Sequence, residues 1–252
     1  MTHAYAMIDY EEHWSSSIDT YRSHPTSRHR RRFVMKCLQR IQPHRGQFVF
    51  DYGCGAGILL DEIRYAHGLR EIDTGGCDIS QAGIAVARRR LPGGTFFGHE
   101  FPDLRRGIDV AITSEVIEHT VRYRDVLAWL VDHLLPGGHL IVTTPGSTMD
   151  PPDRYYGHTQ HFKLEELTSL LGELGCTIEV ASYWGFPFFA LQKWVTRRNF
   201  DRIRDSFMHG ELDAKKSAIF TAAYYAYLVH DLIPKGPQIF IHARKAGPAM
   251  QG

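Results

Sequence analysis

Apolar residues recur along this chain in two alternating rhythms. The first is helical. Phe33, Val34, Cys37, Leu38 and Ile41 fall at i, i+1, i+4, i+5 and i+8, a single stripe that predicts a helix over 26–41. Pro43 and Gly46 break it. The second rhythm is a short apolar run, Phe48-Val49-Phe50, which reads as a strand. It runs into Asp51-Tyr52-Gly53-Cys54-Gly55-Ala56-Gly57, beyond which Ile58-Leu59-Leu60 opens a helix over 58–66. The alternation then continues. A strand is expected at 72–79, and Ser80 can N-cap a helix running through 86–90 that Pro92-Gly93-Gly94 ends. Strands follow at 95–98 and 109–113, then a helix over 124–134 stopped by Pro136-Gly137-Gly138. A strand at 139–144, a helix over 164–174 and a strand at 176–183 complete the series. Short apolar strands alternating with helices imply an α/β fold with a mostly parallel sheet covered on both faces. Ligands on such sheets bind beyond the carboxyl ends of the strands.

The rhythm fails over 185–236, before a last strand at 238–243. This stretch has helical character, a charged segment at 197–204 and many aromatic residues. Phe186, Phe188, Phe189, Trp194, Tyr224, Tyr225 and Tyr227 either line an apolar pocket or form the core of the insertion itself. A helix over 218–233 carries Phe220, Tyr224, Leu228 and Val229 on nearly every side, which predicts that it is buried or lies at a dimer interface. No internal repeat or low-complexity linker divides the chain. The expectation is one domain over 1–252, with 1–25 as an N-terminal cap and 185–236 as a helical lid or homodimerisation insertion.

Composition narrows the function by exclusion. The chain is 43% apolar and 23% charged with a formal charge of +1, which is ordinary for a globular domain. Such a charge gives no global pull toward DNA or a membrane surface, and an RNA groove would need a basic excess that is missing. The arginines at 28–32 and 88–90 read as solvated helix faces. The four cysteines form no C-x-x-C pair, which points to a reducing compartment without a zinc knuckle. The N-terminus has no apolar signal region, and no run reaches the ~18 apolar residues of a membrane span. The expected location is cytoplasmic.

The glycine turn carries the first chemical information. Glycines at alternate positions let the backbone turn sharply and approach a ligand, and the following helix points its free N–H groups at the same place. A dinucleotide site would need G-x-G-x-x-G, whereas this turn is G-x-G-x-G. Asp51, two residues before the first glycine, would also repel a pyrophosphate. It suits a cationic ligand, and S-adenosylmethionine carries a sulfonium and an ammonium group and no phosphate. The second strand ends in Asp78, placed to accept hydrogen bonds from a ribose diol, with Ile79 beside it to pack on an adenine face. His99 and Glu100 offer polar groups to the adenine edge.

With these residues in order, the chain resembles the class I S-adenosylmethionine-dependent methyltransferases, most closely the branch with the ubiquinone-biosynthesis O-methyltransferases. Four segments carry the resemblance: Val49 to Gly57, Asp78, Ile112-Thr113-Ser114-Glu115-Val116-Ile117-Glu118-His119, and Leu135-Pro136-Gly137-Gly138. It implies a doubly wound, Rossmann-like seven-stranded sheet in the order 3-2-1-4-5-7-6 with the last strand antiparallel. It also implies S-adenosylmethionine as cofactor. The donor would be held by Asp51, Gly53, Cys54, Gly55, Gly57, Asp78, Ile79, His99, Glu100, Ser114 and Glu115.

The catalytic candidates lie past the fourth and fifth strands. His119 is a general-base candidate by its ordinary pKa, or else a structural residue of the loop. His158 and His161 are expected to cross the same mouth, facing Glu115 and Glu118. Glu115, Glu118, His119 and His161 together could hold a divalent metal, a set that resembles the metal quartet of the small-RNA 2′-O-methyltransferases. The metal is the minor reading. The main expectation is methyl transfer to a hydroxyl, or an amine, of a small apolar or amphiphilic acceptor. The alternatives are a metal-dependent RNA 2′-O-methyltransferase and an S-adenosylmethionine-using enzyme that transfers no methyl group.

Overall fold

Strand β1 (Phe48–Tyr52) is buried along its whole length because both of its faces are covered. Phe48, Phe50 and Tyr52 pack into one apolar layer and Val49 into the other, and the same period of two divides Ala111 from Val110 and Ile112, and Leu140 from Ile141. The computed structural model describes residues 9–11, 14, 18–66, 71–200 and 212–247. Seven strands form one sheet in the order β3-β2-β1-β4-β5-β7-β6. The others are β2 (Asp73–Cys77), β3 (Thr95–Phe97), β4 (Ile108–Ser114), β5 (Leu134–Pro145), β6 (Cys176–Trp184) and β7 (Gln238–Lys245). β7 runs antiparallel between β5 and β6, while the neighbours from β3 to β5 are parallel. Both the strand order and the reversed last strand agree with the expectation.

Helices α1 (Ile18–Ser23), α2 (Pro25–Ile41), α3 (Ile58–Tyr65) and α4 (Gln81–Arg90) precede β4 in the chain. Val34 and Leu38 of α2, Leu60 and Ile63 of α3 and Ile84 of α4 close one face of the sheet. Helices α5 (Tyr123–His133), α6 (Pro151–Tyr155) and α7 (Leu164–Glu173) follow, and Leu127 and Leu130 of α5 with Leu167 and Leu171 of α7 close the other face. Ser80 caps α4 as its position suggested, its hydroxyl accepting from Gly83 N at 3.0 Å. Asp109 fastens the start of β1 to β4 by accepting from Phe48 N at 2.8 Å and Gln47 Nε2 at 3.0 Å.

Two elements differ from their sequence reading. Pro136-Gly137-Gly138 does not separate a helix from a later strand. Leu134 already pairs with Ile108, and the ladder resumes at His139 opposite Val110, so the turn is an outward bulge inside β5. Gly137 has a φ of +78°, and a Cβ on Gly138 would press on the carbonyl oxygen of Leu135 at 2.8 Å. The insertion contains α8 (Phe188–Arg198) and α9 (Ala214–Ala226), followed by a 3₁₀ segment over Tyr227–Leu232. Of the two readings of α9, burial within the chain is the one overturned: Phe220 is its one buried residue, and Tyr225 and Ile219 are exposed. An apolar residue on every side of a helix does not bury it unless neighbours exist to cover each side. Residues 201–204 of the charged segment lie outside the described residues, as do 1–8, 12–13 and 15–17 of the expected cap.

Candidate functional site

The carboxyl ends of β1, β2, β4 and β5 open into a cavity of about 660 Å³. Gly53 begins its floor. The N–H groups of Gly53 and Cys54 both donate to the carbonyl of Cys77, at 2.8 and 3.0 Å, which draws the glycine turn over the end of β2. Gly53 has a φ of +82°, and a Cβ there would overlap Val116. A side chain at this point would therefore both strain the turn and push against Val116, itself a wall residue.

The expected donor residues divide into a wall and a layer behind it. Gly53, Asp78, Ile79, His99, Glu100, Ser114 and Glu115 line the cavity. Asp51, Cys54, Gly55 and Gly57 do not line it. Asp51 is only 4% exposed, and burial together with the charge of Asp78 pushes its carboxyl up to about 7. Cys54 packs in the core, and Gly57 lies against Ala87, where it lets α3 and α4 approach. Asp78 accepts from Gly55 N at 2.8 Å and from Ser80 N at 2.9 Å, so it braces the turn as well as facing the cavity. Its pKa is raised by burial against the lowering effect of these N–H groups.

Several wall residues escaped the sequence reading. Tyr10, Trp14 and Tyr21 of the N-terminal segment line the same cavity. Trp14 covers Gly55, where a Cβ would collide with its indole. Glu11 accepts from Gln81 N and Ala82 N, both at 2.7 Å, and so meets the free amides at the start of α4. The signal was present in the spacing of Tyr10, Trp14 and Tyr21, which repeats at four and seven residues and marks one helical face. From the insertion, Phe189, Gln192, Lys193, Thr196 and Phe200 reach the wall. Of the seven aromatic residues considered for an apolar pocket, only Phe189 does so. Phe186, Phe188, Trp194 and Tyr225 are exposed, Tyr224 lies beneath Arg28, and Tyr227 packs with Trp184.

Opposite the glycine turn, histidines and carboxylates meet. Glu118 is completely buried, and its Oε2 accepts from Thr144 Oγ1 at 2.9 Å. Burial raises its pKa well above the ordinary carboxylate value, with the nearby Glu115 adding to the effect. His119 Nδ1 lies 3.0 Å from Tyr10 Oη, and its ring meets that of His158 edge-on at 4.6 Å. His161 Nδ1 is 2.7 Å from the carbonyl oxygen of Ser147, which can only accept, so this nitrogen carries a proton. In the neutral ring, His161 Nε2 is then the acceptor for His158 Nδ1, 2.8 Å away. That chain leaves the lone pair of neutral His158 on Nε2. Burial, then His119 and His161, depress His158 to about 2, and burial lowers His119 and His161 as well. Burial thus favours the uncharged form of all three rings.

Glu115 stands apart from this group. It follows β4 directly with a φ of +60° and accepts from Arg30 at 2.9 Å, Thr143 at 3.1 Å and Gln238 at 2.7 Å. The structure thus does not assemble the expected quartet of Glu115, Glu118, His119 and His161. Glu115 is occupied by Arg30 and Gln238, and His161 spends both nitrogens on Ser147 and His158. Among the described residues, the donor sets close enough for one ion are Glu118, His119 and His158, and Asp153, His158 and His161. In the second set Lys193 lies 3.2 Å from Asp153, a cation where an ion would sit.

A 3-2-1-4-5-7-6 sheet with a glycine turn and a carboxylate after β2, all at one cavity beyond the strand carboxyl ends, defines a Rossmann-like fold with its ligand site in the usual place. The methyltransferase-domain family model matches residues 26–181, and the chain belongs to that family as a class I S-adenosylmethionine-dependent methyltransferase. Trans-aconitate 2-methyltransferase of Methylobacterium nodulans is 25% identical over 78% of this chain and 86% of its own length. The mitochondrial ubiquinone-biosynthesis O-methyltransferase of Schizosaccharomyces pombe is 28% identical over 46% of this chain and 44% of its own. In fold, the chain is similar to magnesium protoporphyrin IX methyltransferase from Synechocystis, solved with bound S-adenosylmethionine. The TM-score is 0.53 at 16% identity, over 86% of this chain and 80% of that one.

The cofactor fits the residues present. Gly53, without a Cβ, lets Val116 pack directly on the turn at the cavity wall, and Asp78 and Ile79 face the adjoining wall. Bound there, S-adenosylmethionine supplies a methyl carbon made electrophilic by its sulfonium.

Proposed function

We propose that this enzyme methylates a hydroxyl oxygen of a small-molecule acceptor held between the glycine turn and the histidine cluster. The observation that carries the proposal is the proton order through Ser147, His161 and His158, which leaves His158 Nε2 as a hydrogen-bond acceptor on a ring lining the cavity. His158 would orient the acceptor hydroxyl for in-line attack and receive its proton as the O–C bond forms. Asp153, 4.0 Å from His158 Nδ1, is placed to stabilise the imidazolium that results. His119 and Tyr10 would pack against the acceptor, and buried Glu118 would hold the loop through Thr144. Residues 1–25 and 185–236 would act as two lids, since Trp14 from one and Phe189 from the other both contribute to the wall.

A second reading has its own support. A carboxylate acceptor is already ionised and needs no base, which suits rings as weakly basic as His158. Arg30 and Lys193 offer positive charge in the same wall, and the similar trans-aconitate 2-methyltransferase acts on an acid. One experiment separates the two. Methyl transfer from labelled donor is measured to hydroxyl, carboxylate and amine acceptors with the wild type and His158→Gln. Hydroxyl methylation should lose roughly 100-fold in kcat in the variant. Equal kcat in both enzymes, or transfer confined to carboxylates, would overturn the hydroxyl reading.

A further inference from the structure

A second cavity, of about 250 Å³, shares no lining residue with the first. Its wall brings together Arg22 and Ser23 from the end of α1, Arg28 and Arg31 of α2, Glu62 of α3, and Ser217, Phe220 and Thr221 of α9. Three guanidinium groups therefore face one carboxylate. Arg31 is the centre of the arrangement and is 5% exposed. Its Nε donates to Glu62 at 2.9 Å and its Nη2 to the carbonyl of Arg22 at 2.5 Å. Its Nη1 is buried with no hydrogen-bond partner. A buried charged donor left unmatched is costly, so this nitrogen marks a place where an acceptor belongs.

We propose that this cavity binds a phosphate group, either as the free anion or as a phosphomonoester. The donors fit that class. Guanidinium forks match phosphate oxygens, and the hydroxyls of Ser23, Ser217 and Thr221 can supply further hydrogen bonds to a tetrahedral group. A carboxylate would use fewer of these donors and leave more of the charge uncompensated. Helix α9 also brings Lys215 and Lys216 in its first turn, beside its N-cap Asp213, which accepts from Lys216 N at 2.6 Å. Arg28, held over the Tyr224 ring at 3.7 Å, is oriented from α2 toward the same helix. A bound phosphate would tie α1 to α2 and α9. Residues Thr20 and Tyr21 of that same α1 helix line the main cavity.

The test is calorimetric titration of the full-length protein with inorganic phosphate, at ionic strength held constant with chloride. Glycerol phosphate is titrated in parallel, and whichever of the two binds tighter identifies the preferred source. Saturable one-site binding with a rise in Tm is expected. Arg28→Gln should weaken it by roughly tenfold or more, since one charge-assisted contact is lost. Ser217→Asp, which puts a second carboxylate in the wall, should abolish it. Both positions lie outside the main cavity, so unchanged S-adenosylhomocysteine affinity shows that the variants are folded. The proposal is overturned if phosphate gives no more heat than chloride, or if both variants bind phosphate as the wild type does.

Discussion

Arg30 and Glu115 join the first long helix to the centre of the site, and separating them should be costly. Arg30 Nη1 donates to Glu115 Oε2 at 2.9 Å, with side chains 14% and 18% exposed. Arg30 also donates to Ser27 Oγ at 3.2 Å, while Oε1 of Glu115 accepts from Thr143 and Gln238. Breaking a fully buried pair costs about 3–5 kcal/mol; the residual exposure here discounts this to about 2 kcal/mol. Glu115 also has a positive φ, a strain of ~1–3 kcal/mol that the same hydrogen bonds must hold in place. Arg30→Met is therefore expected to lower Tm by roughly 4–8 °C for a chain of this size. The decisive assay is a double-mutant cycle in urea with Arg30→Met, Glu115→Gln and the pair. The two losses should fail to add by about 1.5–2 kcal/mol, because the second substitution removes a charge already stranded by the first. Additivity within about 0.5 kcal/mol would refute the coupling and leave Glu115 held by Thr143 and Gln238 alone.

Two further outcomes follow from the geometry. Gly53→Ala should lose most S-adenosylhomocysteine affinity in a calorimetric titration while the fold persists, because a Cβ at a φ of +82° meets Val116; wild-type affinity would contradict this role of the glycine. Acid should destabilise the protein, since half-buried His24 and buried His29, His230 and His242 are depressed to about 3, 4, 4 and 4. Their contribution is complete above pH 6.5 and is lost as pH falls from there toward those values. Each such group removes ~1.4 kcal/mol per pH unit, and the buried carboxyls Asp51, raised to about 7, Asp78 and Glu118, both raised by burial, oppose them. Urea unfolding at pH 6.5 and 5.0 should show falling stability across that window, and a rise between those two values would refute the assignment.

Much of this molecule is legible without coordinates. Residues such as Val49, Phe50, Val110, Ala111 and Ile112 must be buried on both faces, which requires helices on both sides of a parallel sheet. Gly53 before a helix, with Asp51 and Asp78 nearby, marks a donor site, because those features are local and each follows from the backbone or charge of a few neighbouring residues. The aromatic insertion was not legible in this way. Hydrophobicity shows that a residue prefers cover but not what covers it, so Phe189 reaching the cavity while Phe186 and Trp194 stay exposed depended on how α8 is set against the sheet.

The catalytic corner follows the same division. Glu115, Glu118, His119, His158 and His161 were recognisable by type, since carboxylates and imidazoles near strand ends serve proton and metal chemistry. Their partners were decided only by folding. Arg30, 85 residues earlier in the chain, claims Glu115, and Ser147 fixes the proton of His161, which in turn orders His158. Local sequence set the turn, the caps and the alternation, because those depend on short-range sterics and backbone hydrogen bonding. Tertiary packing chose which charges meet, because desolvation and pairing depend on neighbours far apart in the chain.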